Sequence, residues 1–439
     1  MTRTLFGTDG VRGVAGEFLT AELALGLGRA ATLLASPARP QVLVIRDTRE
    51  SGEMLEAALA AGVAAGGGDA LLGGVLPTPA APLLLRRYGF DLAVVISASH
   101  NPFADNGIKF FGPEGNKLSD EAETEIERAL EQQAGPAAQI GAVRRMHGTL
   151  EDYLRELHVR FGDLDLNGRR VLLDCANGAT FRAAPEIFRR LGAVVKTSAD
   201  RPDGRNINRD CGSTHVDGLA RAVIAGEADL GFAFDGDGDR VLAVDGSGAL
   251  VDGDELIALV ARHLDATGRL PGRGVVVTVM TNYGFHAKMA EAGIEVAVTA
   301  VGDRYVLEEL HARGWTLGGE QSGHIIDLAF APSGDGIASA LLALEALGER
   351  DLRERDSMRK LPQRLVNVRV PARSTLADAT AVAEAVDRES RALAGRGRVL
   401  VRTSGTEPLV RVMVEAPTEE EAAAASARIV AVVEAEAAR

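Results

Sequence analysis

Three aspartates alternate with glycine in the segment DGDGDR, residues 235–240. In an extended loop, carboxylates at positions i, i+2 and i+4 can face one centre, and oxygen ligands of this kind suit Mg²⁺ or Ca²⁺. A solvated acidic turn is the alternative. It is disfavoured because the apolar run LGFAF precedes the loop, and buried carboxylates repel one another without a cation. An EF-hand is excluded, since it needs Gly at position 6 and Glu at position 12, where this chain has Arg240 and Gly246. Asp235, Asp237 and Asp239 are therefore candidate metal ligands.

A serine hydroxyl lies at the end of another buried-strand pattern. Ser99 belongs to SASHNP, residues 97–102, which follows the apolar run DLAVVI. A hydroxyl at such a loop can accept a phosphoryl group, although a lone serine there is more often a turn or cap residue. Lys109 follows shortly afterwards, and only five of the 48 basic residues are lysine. Lysine can lose its proton at a tuned site where arginine cannot, so this rare lysine is a weak indication of acid or base chemistry.

Three further loops carry groups that could bind hydroxyls, an amine or a phosphate. GGEQSGH (318–324) offers Glu320, Ser322 and His324 at alternate positions, which would suit sugar hydroxyls or an amine. RTSGTEPLVR (402–411) offers hydroxyls, backbone N–H groups and two guanidinium groups that could cradle a phosphate; the residues are Arg402, Ser404, Gly405, Thr406 and Arg411. FGTDGVRG (6–13) contains Arg12 and could also meet a phosphate. Taken alone, the 318–324 loop is better interpreted as a glycine-rich turn, and the 402–411 loop could equally be a hairpin turn with surface arginines. An ordered N-terminal turn is a strong alternative for 6–13.

The elements that would position these loops alternate between strand and helix patterns. Apolar runs that end in polar loops recur at 41–47, 91–97, 169–178, 228–240 and 274–282. Such runs predict α/β domains with ligand loops at the carboxyl ends of the strands. Ser51 and Ser119 are placed to cap helices. The C-terminal part has short alternating strands and a capping box of Thr418 and Glu421. This pattern predicts a small α+β domain with an antiparallel sheet.

The bulk composition limits the function classes. A chain of 439 residues predicts about three domains, and its 46% hydrophobic and 25% charged residues are ordinary for a globular protein. The net charge of −14 argues against nucleic-acid binding. No apolar run reaches the roughly 20 residues of a membrane span. The N-terminal residues lack the apolar core of a signal peptide, so we expect a cytoplasmic protein. Cys175 and Cys211 are expected to be reduced packing residues.

Together these segments resemble the α-D-phosphohexomutase superfamily over essentially the whole chain. The resemblance rests on ASHNP with NGIKFF (106–111), DGDGDR, GEQSGH and RTSGTEPLVRV. FGTDGVRG, CGSTH (211–215), VGDR (301–304) and GEQSGH are most similar to the bacterial branch that acts on glucosamine phosphate. The resemblance implies three α/β domains with mixed sheets (1–150, 151–250 and 251–362) and a smaller C-terminal α+β domain (363–439) around a central cleft. These ranges would carry the phosphoserine, metal-binding, sugar-binding and phosphate-binding loops, respectively.

The resemblance also implies a reaction. Glucosamine 6-phosphate and glucosamine 1-phosphate would interconvert through phosphorylated Ser99 and a sugar 1,6-bisphosphate, which would also serve as activator. The product would feed the synthesis of UDP-N-acetylglucosamine and cell-wall precursors. The partner would be a phosphosugar, without nucleic acid or membrane, and a homodimer is allowed. A phosphomannomutase or phosphoglucomutase remains the nearest alternative, and a non-catalytic phosphosugar sensor is the alternative from another class.

The same resemblance assigns roles to residues. One Mg²⁺ would be held by Asp235, Asp237, Asp239 and an oxygen of phosphorylated Ser99. Lys109 would be the general acid or base, with a pKa expected below that of free lysine. Arg12, His100 and Arg240 would support the phosphoserine, and His324 would lie near the reaction centre. Glu320 and Ser322 would hold the sugar, while the 402–411 loop would grip the phosphate that is not transferred.

Overall fold

The computed structural model describes residues 4–7, 9–35, 39–132, 137, 139–370, 379–403 and 408–438. The chain forms two compact units. The first comprises Met1–Val279 and Ala297–Asp356, and the second comprises Met280–Val296 and Ser357–Arg439.

The N-terminal part of the first unit contains a six-stranded mixed sheet. Its strands are β1 (Val11–Val14), β2 (Gln41–Arg46), β3 (Asp69–Val75), β4 (Leu92–Ile96), β5 (Asp105–Phe111) and β6 (Val143–Arg145), in the order β1-β5-β4-β2-β3-β6. The helices are α1 (Ala21–Leu34), α2 (Ser51–Ala65), α3 (Ala80–Tyr88) and α4 (Asp120–Glu131). β4 is buried along its whole length because its residues are all apolar. The loop that contains Ser99 begins where this strand ends.

A five-stranded mixed sheet follows. Helix α5 (Thr149–Phe161) precedes β7 (Arg170–Asp174), α6 (Ala183–Arg190), β8 (Val194–Ser198), α7 (Asp217–Ile224), β9 (Leu230–Phe234), β10 (Val241–Val244) and β11 (Leu250–Val251). The strand order is β11-β10-β9-β7-β8. β9 and β10 are fully buried and antiparallel, with Phe234 opposite Val241. The DGDGDR segment is therefore the loop of a hairpin whose two strands lie in the core.

The last sheet of the first unit has the order β13-β12-β14-β15. This part of the chain contains α8 (Gly253–Ala266), β12 (Gly274–Thr278), α9 (Tyr283–Ala292), β13 (Glu295–Thr299), α10 (Asp303–Arg313), β14 (Leu317–Gly319), β15 (Ile325–Asp327) and α11 (Gly336–Leu347). Helix α9 belongs to the second unit. Short 3₁₀ turns lie at Ala179–Phe181, Pro271–Arg273 and Leu352–Glu354. The sheet is mixed, since β14 is parallel to β12 and antiparallel to β15.

The second unit contains an antiparallel three-stranded sheet covered by helices. Its elements are β16 (Gln363–Arg369), α12 (Thr380–Ala392), β17 (Arg398–Thr403), β18 (Leu409–Glu415) and α13 (Glu419–Ala437), with strand order β16-β18-β17. Alternate residues Val410, Val412 and Val414 of the central strand are buried against apolar residues of the helices, such as Val382 and Ile429. One face of the sheet therefore forms the core of this unit.

The predicted fold class, three mixed α/β sheets and a smaller C-terminal α+β domain, is confirmed. Ser119 caps α4 as predicted, since its side chain accepts a hydrogen bond from Ala122 N. The cap predicted at Ser51 is wrong: Glu50 occupies the cap position, and the Ser51 hydroxyl accepts from Asn106 instead. The four residue ranges assigned to domains stay a prediction. None of the helices in the described part of the chain combines the length and apolar character needed to cross a bilayer.

Candidate active site

The metal-binding loop predicted from the sequence brings its three aspartates together. One carboxylate oxygen from each of Asp235, Asp237 and Asp239 lies within 4.8 Å of the others, and all three side chains are buried. Two glycines permit this geometry. Gly238 has φ +75°, which residues with a side chain rarely adopt. A Cβ on Gly236 would lie 2.5 Å from the carbonyl oxygen of Ser99. The loop therefore turns tightly and comes into direct contact with the backbone of the serine loop.

The electrostatics of the three aspartates fit a cation. Burial, together with the charges of Asp239 and Asp237, holds the pKa of Asp235 well above its usual range. The Oδ1 atoms of Asp237 and Asp239 are buried and have no hydrogen-bond partner in the described part of the chain. Buried polar atoms normally have a partner, and a hard divalent cation would supply one. The residues present therefore fit a Mg²⁺ site.

Ser99 lies against this loop. Its hydroxyl donates to Asp235 Oδ2 at 2.6 Å, and His100 Nδ1 lies 3.3 Å from the same hydroxyl oxygen. The residue is 1% exposed and has φ +51°, in the left-handed region. Burial, followed by the charges of Arg240 and Arg12, lowers the pKa of His100. The structure therefore brings the candidate phosphoryl acceptor and the candidate metal ligands into contact.

Lys109 extends from β5 to the same centre and is 1% exposed. Its Nζ lies 2.9 Å from Asp237 Oδ2 and 3.0 Å from Asp9 Oδ2. Burial disfavours the ammonium group, but the charges of Asp237 and Asp9 outweigh it and raise the pKa of Lys109. The expectation of a lowered pKa is therefore wrong for this arrangement, because the lysine faces two carboxylates. Lys109 therefore presents a fixed positive charge to this centre.

Two arginines complete the positive charge around Ser99. Arg240 Nε lies 3.8 Å from Asp239 Oδ1, and its backbone N–H donates to Asp235 Oδ1 at 3.2 Å. Although burial opposes it, the charges of Asp239 and Asp235 raise the pKa of Arg240. Arg12 forms an ion pair with Asp9. Both guanidinium groups are paired with carboxylates and are held in defined positions.

The GGEQSGH loop (318–324), which is predicted to bind the sugar, contributes one buried imidazole to this centre. His324 Nδ1 lies 3.6 Å from Asp239 Oδ2, and its Nε2 accepts from Gly334 N at 3.2 Å. Burial opposes protonation, but the charge of Asp239 raises the pKa of His324. Glu320 Oε1 accepts from Gly302 N at 3.0 Å, whereas Ser322 is exposed. His324 is thus in contact with the metal-binding loop, while Ser322 is open to solvent.

Sequence reasoning assigned no role to several charged residues that the structure places here. Lys117 Nζ pairs with Asp9 and lies 2.6 Å from Asp303 Oδ2, and Asp303 Oδ2 lies 3.8 Å from His324 Nε2. These pairs link the charged groups in one open chain that begins and ends at the three-aspartate loop: Asp239, His324, Asp303, Lys117, Asp9, Lys109 and Asp237. The sequence contained features that could have indicated these residues. Asp9 and Asp303 lie in the FGTDGVRG and VGDR segments, and Lys117 is one of the few lysines.

The predicted phosphate-binding residues lie in the second unit. Arg402 on β17 and Arg411 on β18 are directly opposite each other in the antiparallel register. Their side chains therefore leave the same face of the sheet. Ser404, Gly405 and Thr406 lie outside the described residues. The structure thus places two guanidinium groups side by side in this unit.

Family descriptions and curated relatives match most of the chain. Four family descriptions match consecutive parts of the chain: phosphoglucomutase/phosphomannomutase alpha/beta/alpha domain I at residues 3–136, domain II at 147–248, domain III at 252–365 and the C-terminal domain at 365–432. A phosphoglucosamine mutase of Pelotomaculum thermopropionicum is 51% identical over 421 residues, which is 94% of each chain.

Solved structures agree at the level of the fold. A phosphoglucomutase/phosphomannomutase family protein from Burkholderia thailandensis has a TM-score of 0.81 at 24% identity, covering 99% of this chain and 98% of that chain. The Aspergillus fumigatus N-acetylphosphoglucosamine mutase, solved in complex with GlcNAc-6P and magnesium, has a TM-score of 0.67 at 19% identity, covering 99% and 96%.

The chain therefore belongs to the phosphoglucomutase/phosphomannomutase family, within the α-D-phosphohexomutase superfamily. Within that family it groups with the bacterial phosphoglucosamine mutases, as the sequence predicted. It is an enzyme, an isomerase that acts as an intramolecular phosphotransferase.

Proposed function

We propose that this enzyme interconverts glucosamine 6-phosphate and glucosamine 1-phosphate by passing a phosphoryl group through Ser99. One observation carries the mechanism: the Ser99 hydroxyl lies 2.6 Å from Asp235, beside two further buried aspartates. A serine that served only as a turn or cap residue would not require three buried carboxylates beside it in an arrangement that fits a cation. The relatives that match nearly the whole chain support glucosamine phosphate as the substrate.

Phosphoryl transfer depends on positioning and on neutralising charge. Mg²⁺ held by Asp235, Asp237 and Asp239, with an oxygen of phosphorylated Ser99 as a further ligand, would supply Lewis-acid neutralisation of the phosphoryl oxygens. The chain's own cations act beside it. Arg240 is paired with the loop and directs positive charge towards the phosphoryl group, and Lys109 does the same from β5.

Proton transfer is assigned to the same small set of residues. Lys109 gives a proton to the departing oxygen and takes it from the attacking hydroxyl. Its ammonium form is favoured by Asp237 and Asp9, so Lys109 carries its proton before transfer begins. His100 and Arg12 support the phosphoserine, and His324 orients the metal-binding loop through Asp239.

Sugar and distal phosphate are assigned to the remaining loops. Glu320 and Ser322 would bind sugar hydroxyls or the amine. Arg402 and Arg411, with Ser404, Gly405 and Thr406, would bind the phosphate that is not being transferred. The 1,6-bisphosphate intermediate must turn over between two transfers, and a bidentate guanidinium pair accepts either of its phosphates. A trace of bisphosphate would phosphorylate Ser99 and act as activator.

The test is the substitution Ser99→Ala. Purified protein with Mg²⁺ and a trace of sugar bisphosphate is expected to isomerise glucosamine 6-phosphate, and Ser99→Ala to abolish this activity. Ser247→Ala is a matched control, because Ser247 is exposed and its hydroxyl donates to Asp245 in the turn between β10 and β11. Intact-mass measurement should show a phosphorylated species in wild type and control alone. Full activity of Ser99→Ala would refute the phosphoserine mechanism.

Specificity is decided in the same assay. Turnover on glucose and mannose phosphates that exceeds turnover on glucosamine phosphate would assign the alternative phosphoglucomutase or phosphomannomutase activity. Binding of phosphosugars without turnover would assign the other alternative, a non-catalytic phosphosugar sensor. We also propose a cytoplasmic location and a supply role for UDP-N-acetylglucosamine and cell-wall precursors; a homodimer stays a prediction.

A further inference from the structure

Arg49 is the largest fully buried side chain in the described part of the chain, and it does not touch the three aspartates. It follows β2 and precedes α2. A buried guanidinium needs partners for all of its donors, because an unpaired charged group in the interior is strongly destabilising. Where those donors point therefore indicates what this residue is for.

All five N–H donors of Arg49 are used. Nε donates to Asp47 Oδ2 at 2.9 Å. The other four donate to backbone carbonyl oxygens of the serine loop: Ser99 and Asn101 at 2.9 Å each, Asp105 at 3.0 Å, and Pro102. One planar group thus binds four carbonyls within a seven-residue segment that ends at the first residue of β5.

The partner of Arg49, Asp47, is hydrogen-bonded to the same loop. Asp47 is fully buried, and its Oδ2 also accepts from Ser97 Oγ at 2.6 Å. Ser97 Oγ in turn accepts from the backbone N–H of Ser99 at 3.0 Å. The N–H and the carbonyl of Ser99 are therefore both connected to the Arg49–Asp47 pair, the first through Ser97 and the second directly.

Ser99 needs such support because of its backbone conformation. Its φ of +51° is unfavourable for a residue with a Cβ, and such residues persist only where the surroundings determine them. A second donor reinforces the arrangement, since Asn208 Nδ2 donates to Ser99 O at 2.9 Å and to Asn101 O at 3.0 Å. In this conformation the Ser99 hydroxyl is directed at Asp235.

We propose that Arg49 is a positioning residue that holds Ser99 in the left-handed conformation in which its oxygen faces the metal-binding aspartates. The inference rests on the proposed function, since it matters only if Ser99 carries the phosphoryl group. Lysine cannot replace it, because an ammonium group has three donors on one atom and lacks the planar fork that spans four carbonyls. Arg49 acts through Ser99 and does not contact the reacting atoms.

The test is Arg49→Lys, which keeps the charge opposite Asp47. Because small misplacement of a reacting group is costly, kcat should fall roughly 100-fold, while KM for glucosamine 6-phosphate changes by less than about threefold. Rapid mixing of the phosphorylated variant with sugar phosphate, followed by intact mass, should show that the first transfer from Ser99 is slowed to the same extent as kcat.

A matched control separates positioning from a general loss of packing. Arg355 is also largely buried and binds two carboxylates of the same unit, Asp245 and Glu255, at 2.9–3.0 Å. Arg355→Lys should lower the melting temperature without changing the rate of the first transfer. A transfer rate for Arg49→Lys equal to that of this control would overturn the inference.

A second variant covers the case in which Arg49→Lys does not fold. Asn208→Gly removes the other donor to Ser99 O, and glycine tolerates the φ of +57° found at Asn208. Its transfer rate should fall about tenfold, as for the loss of one of two hydrogen bonds to the same carbonyl; an unchanged rate would contradict the inference. The two proposals fail separately. Activity in Ser99→Ala would refute the phosphoserine mechanism, whereas an inactive Ser99→Ala with normal transfer in Arg49→Lys would refute only the role of Arg49.

Discussion

Asparagine in place of Asp235 should have opposite effects on stability with and without Mg²⁺. Asp235 is 1% exposed, and burial and its two neighbouring carboxylates raise its pKa. Neutralising it removes like-charge repulsion, and the Asn Oδ1 can still accept from Gly238 N and Arg240 N. We therefore expect the Mg²⁺-free variant to be more stable than Mg²⁺-free wild type by about 1 kcal/mol.

Bound Mg²⁺ should reverse that order. A ligand present at about 100 times its dissociation constant stabilises the folded state by about 2.7 kcal/mol. The first unit has about 340 residues, so its unfolding entropy is about 0.7 kcal/mol/K. Wild type should thus gain about 4 °C in melting temperature on addition of Mg²⁺. Asp235→Asn should gain less than about 1 °C, while its Mg²⁺-free form melts about 1.5 °C above Mg²⁺-free wild type.

Thermal unfolding in EDTA and in a Mg²⁺ series measures both effects. Asp245→Asn is the control, because Asp245 is equally buried but is paired with Arg355 and lies outside the metal-binding loop. It should lower the melting temperature in EDTA and keep the full Mg²⁺ gain. A Mg²⁺ gain in Asp235→Asn as large as in wild type would refute the assignment of the loop as the cation site. A destabilised Asp235→Asn in EDTA would refute the repulsion argument.

Two further predictions concern buried charges beside the site. Burial raises the pKa of Asp335, whose carboxylate accepts from Tyr153, from 3.8 to about 6. The folded state then binds the proton more tightly than the unfolded state, so the free energy of unfolding falls by about 3 kcal/mol as pH rises from about 4 to about 6. Urea unfolding between pH 4 and 7 should show a weaker pH dependence of this free energy for Asp335→Asn than for wild type. The same pH dependence in both proteins would contradict the assignment to Asp335. Lys117→Met leaves Asp9 and Asp303 without their shared cation and should cost about 2 kcal/mol. In an Asp303→Asn background the destabilisation caused by Lys117→Met should be smaller by about 1 kcal/mol. Unfolding can be followed by the fluorescence of the single tryptophan, Trp315. Equal destabilisation in both backgrounds would show that Lys117 and Asp303 are not coupled.

The chemistry of the site could be predicted from the sequence wherever polar residues follow a buried strand. Ser99 after β4 and Asp235 after β9 both obey this rule. Asp47 and Arg49 follow β2 in the same way, and the rule would have found them too. What it could not supply is which strand ends meet. Ser99 and Asp235 are separated by 136 positions, and no local pattern encodes their 2.6 Å contact.

Helix capping is a local pattern that the sequence predicts only in part. Ser119 caps α4 because its hydroxyl is free to turn back to the helix. Ser51 does not cap α2, because a residue 55 positions away, Asn106, donates to it. Thr418 accepts from Glu421 N as a capping box requires, but the Glu421 side chain pairs with Arg396 rather than returning to the cap. For Ser51 and for the Glu421 side chain, a tertiary partner decided the outcome.

The three-aspartate loop also bears on how the first unit folds. Three successive carbonyls of the loop accept hydrogen bonds from three separate regions of the chain. Gly236 O accepts from Ala179 N, Asp237 O from Thr78 N, and Gly238 O from Gly336 N, at 2.8–2.9 Å. These donors come from the segments of the five-stranded, six-stranded and third sheets, respectively. The loop thus acquires its shape only after all three regions have assembled, and contacts of such long sequence separation form late. Cation binding should therefore appear late during refolding. It should be absent from any fragment of the chain that lacks one of the three regions.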